Sequence, residues 1–357
     1  MSCNLGRLLA CLAFLFPEPS SPPCCSPRNS ERMTSFALAL RRPQLLFRAR
    51  LPSQKEKRAS EDAKNTKVVD VLSARVPARL VTFTDLPKWY QDNPYILSAY
   101  RPVSHSYNAC IHSLTYLHNE TINIYTHLLP ALILAFALPT LQIHISSIFT
   151  DAPWTDRFML TLTPMACLFT LSLSATYHTL MNHSHPVSSS CLLLDYTGIL
   201  ALILASFMSG VYVGFYESLF HQRLYWAMIL VLVFTSCLFV LHPRLQGPVY
   251  RAHRTSAFIL TALSGFAPVL HGVCRYGAST AFHEKGVKWW LAEGLWYGIG
   301  ATFFAKRIPE SCAWARTGDK KGMFDVWGSS HQIFHCCVVA GAMCHCWGVW
   351  SAWRYAV

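Results

Sequence analysis

Seven stretches of about 20 apolar residues follow one another between residues 126 and 353, and few soluble folds can absorb such a series. They lie at about 126–148, 157–180, 190–213, 220–241, 255–274, 287–305 and 331–353. Hydrocarbon offers no water to satisfy peptide groups, so each crossing must be a helix. Pro130, Pro139, Pro164, Pro268, Asp195 and Glu293 interrupt the runs, and neighbouring helices can re-satisfy the backbone at such breaks. The expected fold is an all-α membrane protein, a seven-transmembrane helix bundle with its N-terminus cytoplasmic and its C-terminus extracellular or lumenal.

Composition supports the membrane. The chain is 52% hydrophobic and 13% charged, against about 25% charged in an ordinary soluble domain. Its net charge of +12 does not point to nucleic acid, because the basic residues are bunched before residue 102 and in short loops, with no basic and aromatic stripe for base stacking. Of the Lys and Arg, 24 fall on the N-terminal side of the alternation and 6 on the other, which places the N-terminal side in the cytoplasm. The short loops alone are nearly balanced, so the residues just before the first span carry this orientation.

Residues 1–84, rich in Ser, Pro, Arg and Lys, read as a mostly disordered basic cytoplasmic tail, and 85–357 as the transmembrane domain. Within the tail, Leu8 to Phe16 behind Arg7 has the form of a signal-peptide core but is too short to span. The 14 Cys are scattered, without paired CxxC units, and Cys336, Cys337, Cys344 and Cys346 are expected to pack as small hydrophobes.

Ionisable groups inside a membrane helix are costly and call for a function. With the N-terminus inside, the second span ends at the cytoplasmic face with His178, one turn from Ser174 on the same face. The third begins there, with Asp195 one to two turns in, and the seventh begins there with His331 and His335. Spacing of i, i+4 points both imidazoles from one helical face, as two ligands of one metal must. An HxxxH pair without the Glu of HExxH also describes two buried histidines; the shared depth with His178 and Asp195 is what favours a metal. Three imidazoles with a fourth position for water form a catalytic zinc pattern, with Asp195 as a neighbouring carboxylate or general base. His345 lies about 15 Å farther along the seventh span and cannot join them. Asn119, Glu120 and His127 have the chemistry of a helix cap as much as that of a pocket mouth.

Three blocks resemble the progestin and adipoQ receptors, a family with the adiponectin receptors, the yeast zinc-homeostasis proteins and the bacterial haemolysin-III proteins. The first is Tyr100-Arg101-Pro102, then Ser113-Leu114 and the run from His118 to Leu128, with Tyr125 where the family usually has Trp. The second is Ser174 to Thr179 with Leu194 to Gly198. The third is Arg307-Ile308-Pro309-Glu310, Phe324-Asp325 and Ser330 to His335. Residues 86–93 are similar to fungal members in particular. A longer stretch at 311–321, and Asn182 where the family often has Cys, depart from the pattern.

The resemblance implies that His178, His331 and His335 are Zn2+ ligands, and that Ser174 and Asp195 stand beside the metal's water as catalytic candidates. It further implies a ceramidase-like amidohydrolase acting on a membrane lipid or sphingolipid substrate, in lipid and metal homeostasis. The alternative is a non-enzymatic receptor for an extracellular ligand, with structural zinc joining the second and seventh spans. A zinc transporter fits less well, because the ligand candidates cluster at one end.

Overall fold

A helix that is apolar on every face must be surrounded by protein or by lipid. The computed structural model describes residues 79–246, 248–317 and 322–357. Residues 1–78, which hold most of the expected tail and the Leu8 to Phe16 run, lie outside the described residues, as do 318–321 of the 311–321 stretch.

The chain runs through α1 (Tyr107–His112), α2 (Thr121–Ile148), α3 (Trp154–Leu180), α4 (His185–Gly214), α5 (Leu219–Val240), α6 (Arg251–Leu263), α7 (Phe266–Tyr276), α8 (Ala278–His283), α9 (Val287–Lys306), α10 (Glu310–Thr317) and α11 (Ser330–Ala356). Among the described residues there is no strand, only an isolated bridge between Val81 and Tyr100.

Six segments are long and apolar enough to cross a membrane: α2, α3, α4, α5, the α6–α7 pair and α11. Their outer faces leave Leu132, Ile133, Phe136, Ile143, Val231, Phe234 and Leu238 exposed, as lipid-facing surface requires. The chain is an integral multi-pass membrane protein. The run expected at 287–305 is the 20-residue helix α9, about 30 Å long. It falls outside the six because Lys288, Glu293, Lys306 and its Trp and Tyr residues dilute its apolar character. The run expected at 255–274 is broken between Leu263 and Phe266. There a Cβ on Gly265 would meet the Phe207 ring at 3.0 Å, and Pro268 falls in the first turn of α7, where its missing N–H leaves no bond unmade.

α11 is the hub, packed on α9, α2, α3 and α4. Its seam with α9 is very close: a Cβ on Gly300 would lie 2.8 Å from that of Cys337, and one on Gly341 would lie 2.5 Å from the Tyr297 ring. Small residues let membrane helices approach this nearly. Gly300→Val is therefore expected to lower the apparent melting temperature in detergent, by a destabilisation of about 1–3 kcal/mol. Gly298→Ala, with open space around it, should leave it unchanged; equal melting of the two variants would dismiss the seam.

One end of the bundle is fastened by Asp156, fully buried in the first turn of α3. Its carboxylate accepts from Trp353 Nε1 at 2.7 Å, Tyr216 OH at 2.9 Å and Tyr212 OH. Ile145, Leu160, Val213, Val349 and Trp353 pack around it as an apolar cluster. Across the opposite end Leu86, Tyr90, Ile96 and Tyr100 form a second cluster with Met181 and Phe324. Residues 79–84, counted with the tail in the sequence division, take part in it: the Val81 N–H donates to Tyr100 O at 2.8 Å and the Phe83 N–H to Leu97 O at 3.0 Å. The cysteines of the described residues are all free. Cys337 is buried as expected of a small hydrophobe, Cys336 is exposed, and Cys344 and Cys346 are half-buried.

Candidate metal centre at one end of the bundle

The end opposite Asp156 is built by polar residues in and beside the sequence blocks, each with a definite task in the structure. Arg101, fully buried, donates from Nη2 to His178 O at 2.6 Å and from Nη1 to Thr179 O at 3.0 Å and Ser113 Oγ at 2.8 Å. A guanidinium there satisfies carbonyls that the end of α3 leaves open and matches its dipole. Glu310 does the converse for α11, accepting from the Ser330 N–H at 2.9 Å, from the Ser330 hydroxyl and from Asn93 Nδ2 at 3.0 Å. Ser329 and Gln332 form a capping box over the same turn. Asp325 accepts from the Leu97 N–H at 2.8 Å and from Ser98 Oγ at 2.5 Å, tying the loop before α11 to the segment before α1.

These contacts fix the ends of α3 and α11 against each other, and three imidazoles meet there. One nitrogen from each of His178, His331 and His335 lies within 4.8 Å of the other two, a set able to hold a metal ion. His178 Nε2 and His331 Nε2 are 3.2 Å apart. Two nitrogens bound tetrahedrally at 2.0–2.1 Å would be separated by about 3.3 Å, so this pair already has a ligand spacing. The outer nitrogens are also occupied suitably. His178 Nδ1 is 2.8 Å from Glu120 Oε2, and His335 Nδ1 is 3.0 Å from Asn123 O and 3.2 Å from Thr126 Oγ1. A carboxylate and a carbonyl only accept, so both Nδ1 atoms carry the proton and both Nε2 lone pairs face the centre. The donor set fits a metal that favours nitrogen.

Glu120 is the residue that sequence reasoning undervalued. It stands at the N-cap position of α2, yet makes no side-chain cap hydrogen bond. Its carboxylate instead takes His178 Nδ1, Asn123 Nδ2 at 2.6 Å and Asn119 Nδ2 at 3.0 Å. Carboxylates in this relation orient a ligating imidazole and raise its basicity. His127 is stacked on His335, with ring centroids 3.7 Å apart and planes within 4°. His118, on the loop before α2, accepts from the Glu120 N–H at 3.1 Å. Its burial, with Arg101 nearby, holds it neutral, with a pKa near 3. The departures from the family pattern have partners too: Tyr125 OH donates to Leu114 O at 2.8 Å, and Asn182 Nδ2 donates to Pro102 O at 3.0 Å.

The triad opens on a cavity of about 1250 Å3 that continues along α11 between α4, α7 and α9. Asp195 and Ser174 line the same cavity as His178, His331 and His335, and Ser174 stands beside Asp195. His345, as its helical distance requires, does not join the triad. It pairs instead with Glu293, Nδ1 to Oε2 at 2.7 Å, a contact between two residues that the sequence left without a role.

Residues 115–346 match the haemolysin-III-related family. The ADIPOR-like receptor IZH2 of Saccharomyces cerevisiae is 32% identical over 311 residues, covering 87% of this chain and 95% of the yeast protein. The adiponectin receptor protein of Drosophila melanogaster is 33% identical over 275 residues, covering 77% of this chain and 60% of the fly protein. Heptahelical transmembrane protein 4 of Arabidopsis thaliana is 31% identical over 349 residues, covering 76% and 87%. The imidazole triad falls within the matched residues 115–346, and the chain belongs to the haemolysin-III-related family, on the progestin and adipoQ receptor side that includes the fungal ADIPOR-like receptors.

Proposed function

We propose that this protein is a zinc-dependent lipid amide hydrolase, ceramidase-like, whose chemistry sits at the cytoplasmic end of a seven-span bundle. The observation that carries it is the convergence of three imidazoles, with Asp195 and Ser174, on a largely apolar cavity large enough for an acyl chain. The span that brings the six to seven is α9, sixth in chain order: it is long enough, and it packs along α11. The excess of Lys and Arg on the N-terminal side supports a cytoplasmic triad end.

A zinc ion held by His178, His331 and His335 would supply Lewis acidity, polarising a carbonyl and making water nucleophilic near neutral pH. The protein's own residues do the rest. The cavity takes the acyl chain and presents its amide carbon to the triad. Asp195, with Ser174 to orient it, accepts a proton from the attacking water and returns it to the departing nitrogen. Water and amide are consumed, and a fatty acid and an amine, a sphingoid base in the case of ceramide, are released. Glu120 keeps His178 in the tautomer that ligates. Such a hydrolase would act in lipid and sphingolipid signalling and in metal homeostasis.

Detergent-purified protein is expected to hold one equivalent of zinc and to hydrolyse ceramide, to lose both on chelation, and to regain both when zinc is restored. A second reading is favoured by the word receptor in the names of the yeast and fly relatives: zinc clasps α3 to α11, and an extracellular ligand shifts the clasp. Stoichiometric zinc without turnover would select that reading, and zinc-free, inactive wild type would remove both. Glu120→Gln should weaken zinc binding about 10- to 100-fold, read by competition with a chelator of known affinity; unchanged affinity would return Glu120 to a structural role.

A further inference from the structure

The same cavity has a second polar region, away from the triad. Glu293 on α9 faces it, half-buried, and among the described residues the one hydrogen bond to its carboxylate comes from His345 Nδ1. His345 is in turn held from the far side, Nε2 to Ser209 Oγ at 3.1 Å, with Thr163 Oγ1 2.7 Å beyond. Three further groups lining the cavity bring buried polar atoms without a hydrogen-bond partner: Tyr297 OH one turn from Glu293, Trp290 Nε1 and Ser206 Oγ. His345 and Trp290 both approach Gly210, where a Cβ would lie 3.3 Å from His345 Cε1 and 3.8 Å from Trp290 Nε1. An ionisable pair and three unsatisfied polar groups at one place inside a membrane protein are costly unless something polar meets them.

We propose that Glu293 and His345 form a second binding subsite that takes a hydroxyl group on an otherwise apolar chain, so that the preferred ligand is a hydroxylated long-chain lipid. The carboxylate accepts a hydrogen bond from the hydroxyl. Tyr297, Ser206 and Trp290 supply further partners as their side chains settle on the occupant. His335 and His345 are ten residues apart on one helix, so the ligand's two polar groups are separated by about 15 Å. The substrate class rests on the hydrolase reading, but the subsite does not require a metal.

The test compares a saturated long-chain fatty acid with its analogue carrying one hydroxyl about 15 Å from the carboxylate, by competition binding to the full-length protein in detergent. Wild type is expected to prefer the hydroxylated acid on the order of ten-fold, and the Glu293→Met, His345→Leu double variant to bind both alike. The single variant Tyr297→Phe, which leaves the ion pair in place, should reduce the preference partially and guards against a double variant that fails to fold. In the His331→Ala, His335→Ala variant the preference should survive; if it does while zinc and turnover are absent from wild type, both zinc readings fall and the subsite stands. No preference in wild type overturns the subsite, as does a preference that persists undiminished without Glu293 and His345.

Discussion

Asp195→Asn is expected to keep its zinc and to lose about 10²- to 10⁴-fold in ceramide turnover, the range over which a positioned acid or base acts. The amide is isosteric with the carboxylate and can keep company with Ser174, so cavity shape and metal ligands are left alone. What it cannot do is accept the proton that the attacking water must lose. The loss should therefore fall on kcat, with substrate binding little altered. Metal analysis and single-turnover hydrolysis on the same preparation check both halves. Undiminished turnover would remove Asp195 from the chemistry and leave Ser174 without a catalytic partner.

The second large effect belongs to the metal itself. His335→Ala should cost most of the bound zinc, on the order of 100-fold or more in affinity, since even residues behind the ligands contribute 10- to 100-fold. His335 also packs against His127, so part of any defect could arise from the space it leaves. His127→Phe separates the two causes. It retains a flat ring on His335 and removes two buried nitrogens that have no partner, so it should retain zinc. Equal zinc in His335→Ala and wild type would exclude the triad as the metal's holder.

Much of this centre was legible before the structure, and the reason is geometric. The ends of successive antiparallel spans return to one membrane face, so residue depth can be counted along the chain, and His178, Asp195, His331 and His335 fall at one level on that count. The structure brings the three imidazoles together and puts Asp195 on the wall of the same cavity. Glu120 was not legible in this way. At the start of a helix a carboxylate has a local explanation, and its partner His178 is 58 positions away. Glu293 and His345 were each visible as polar residues within apolar runs, but a single residue does not disclose which neighbour it meets across a helix seam. The break at Ser264 and Gly265 was hidden for a related reason, because an apolar run has the same composition whether or not its axis is continuous. α9 shows the opposite difficulty, since Trp289, Trp290 and Tyr297 pack partly within protein while contributing little to an apolar average.

α11 contributes to the triad, to the pair with Glu293 and to the fastening at Asp156: the imidazole pair at its start, His345 midway, and Trp353 near its end. It is also synthesised after each of the other helices it packs among. Neither polar site is complete in the nascent chain: until this helix arrives Glu293 lacks His345, Asp156 has Tyr212 and Tyr216 but not Trp353, and His178, already on Glu120, lacks the other two imidazoles. Biogenesis thus has a natural checkpoint. A chain halted before α11 presents the unpaired Glu293 carboxylate to the quality-control machinery of its membrane, whereas a completed one pairs it with His345 in a single insertion step.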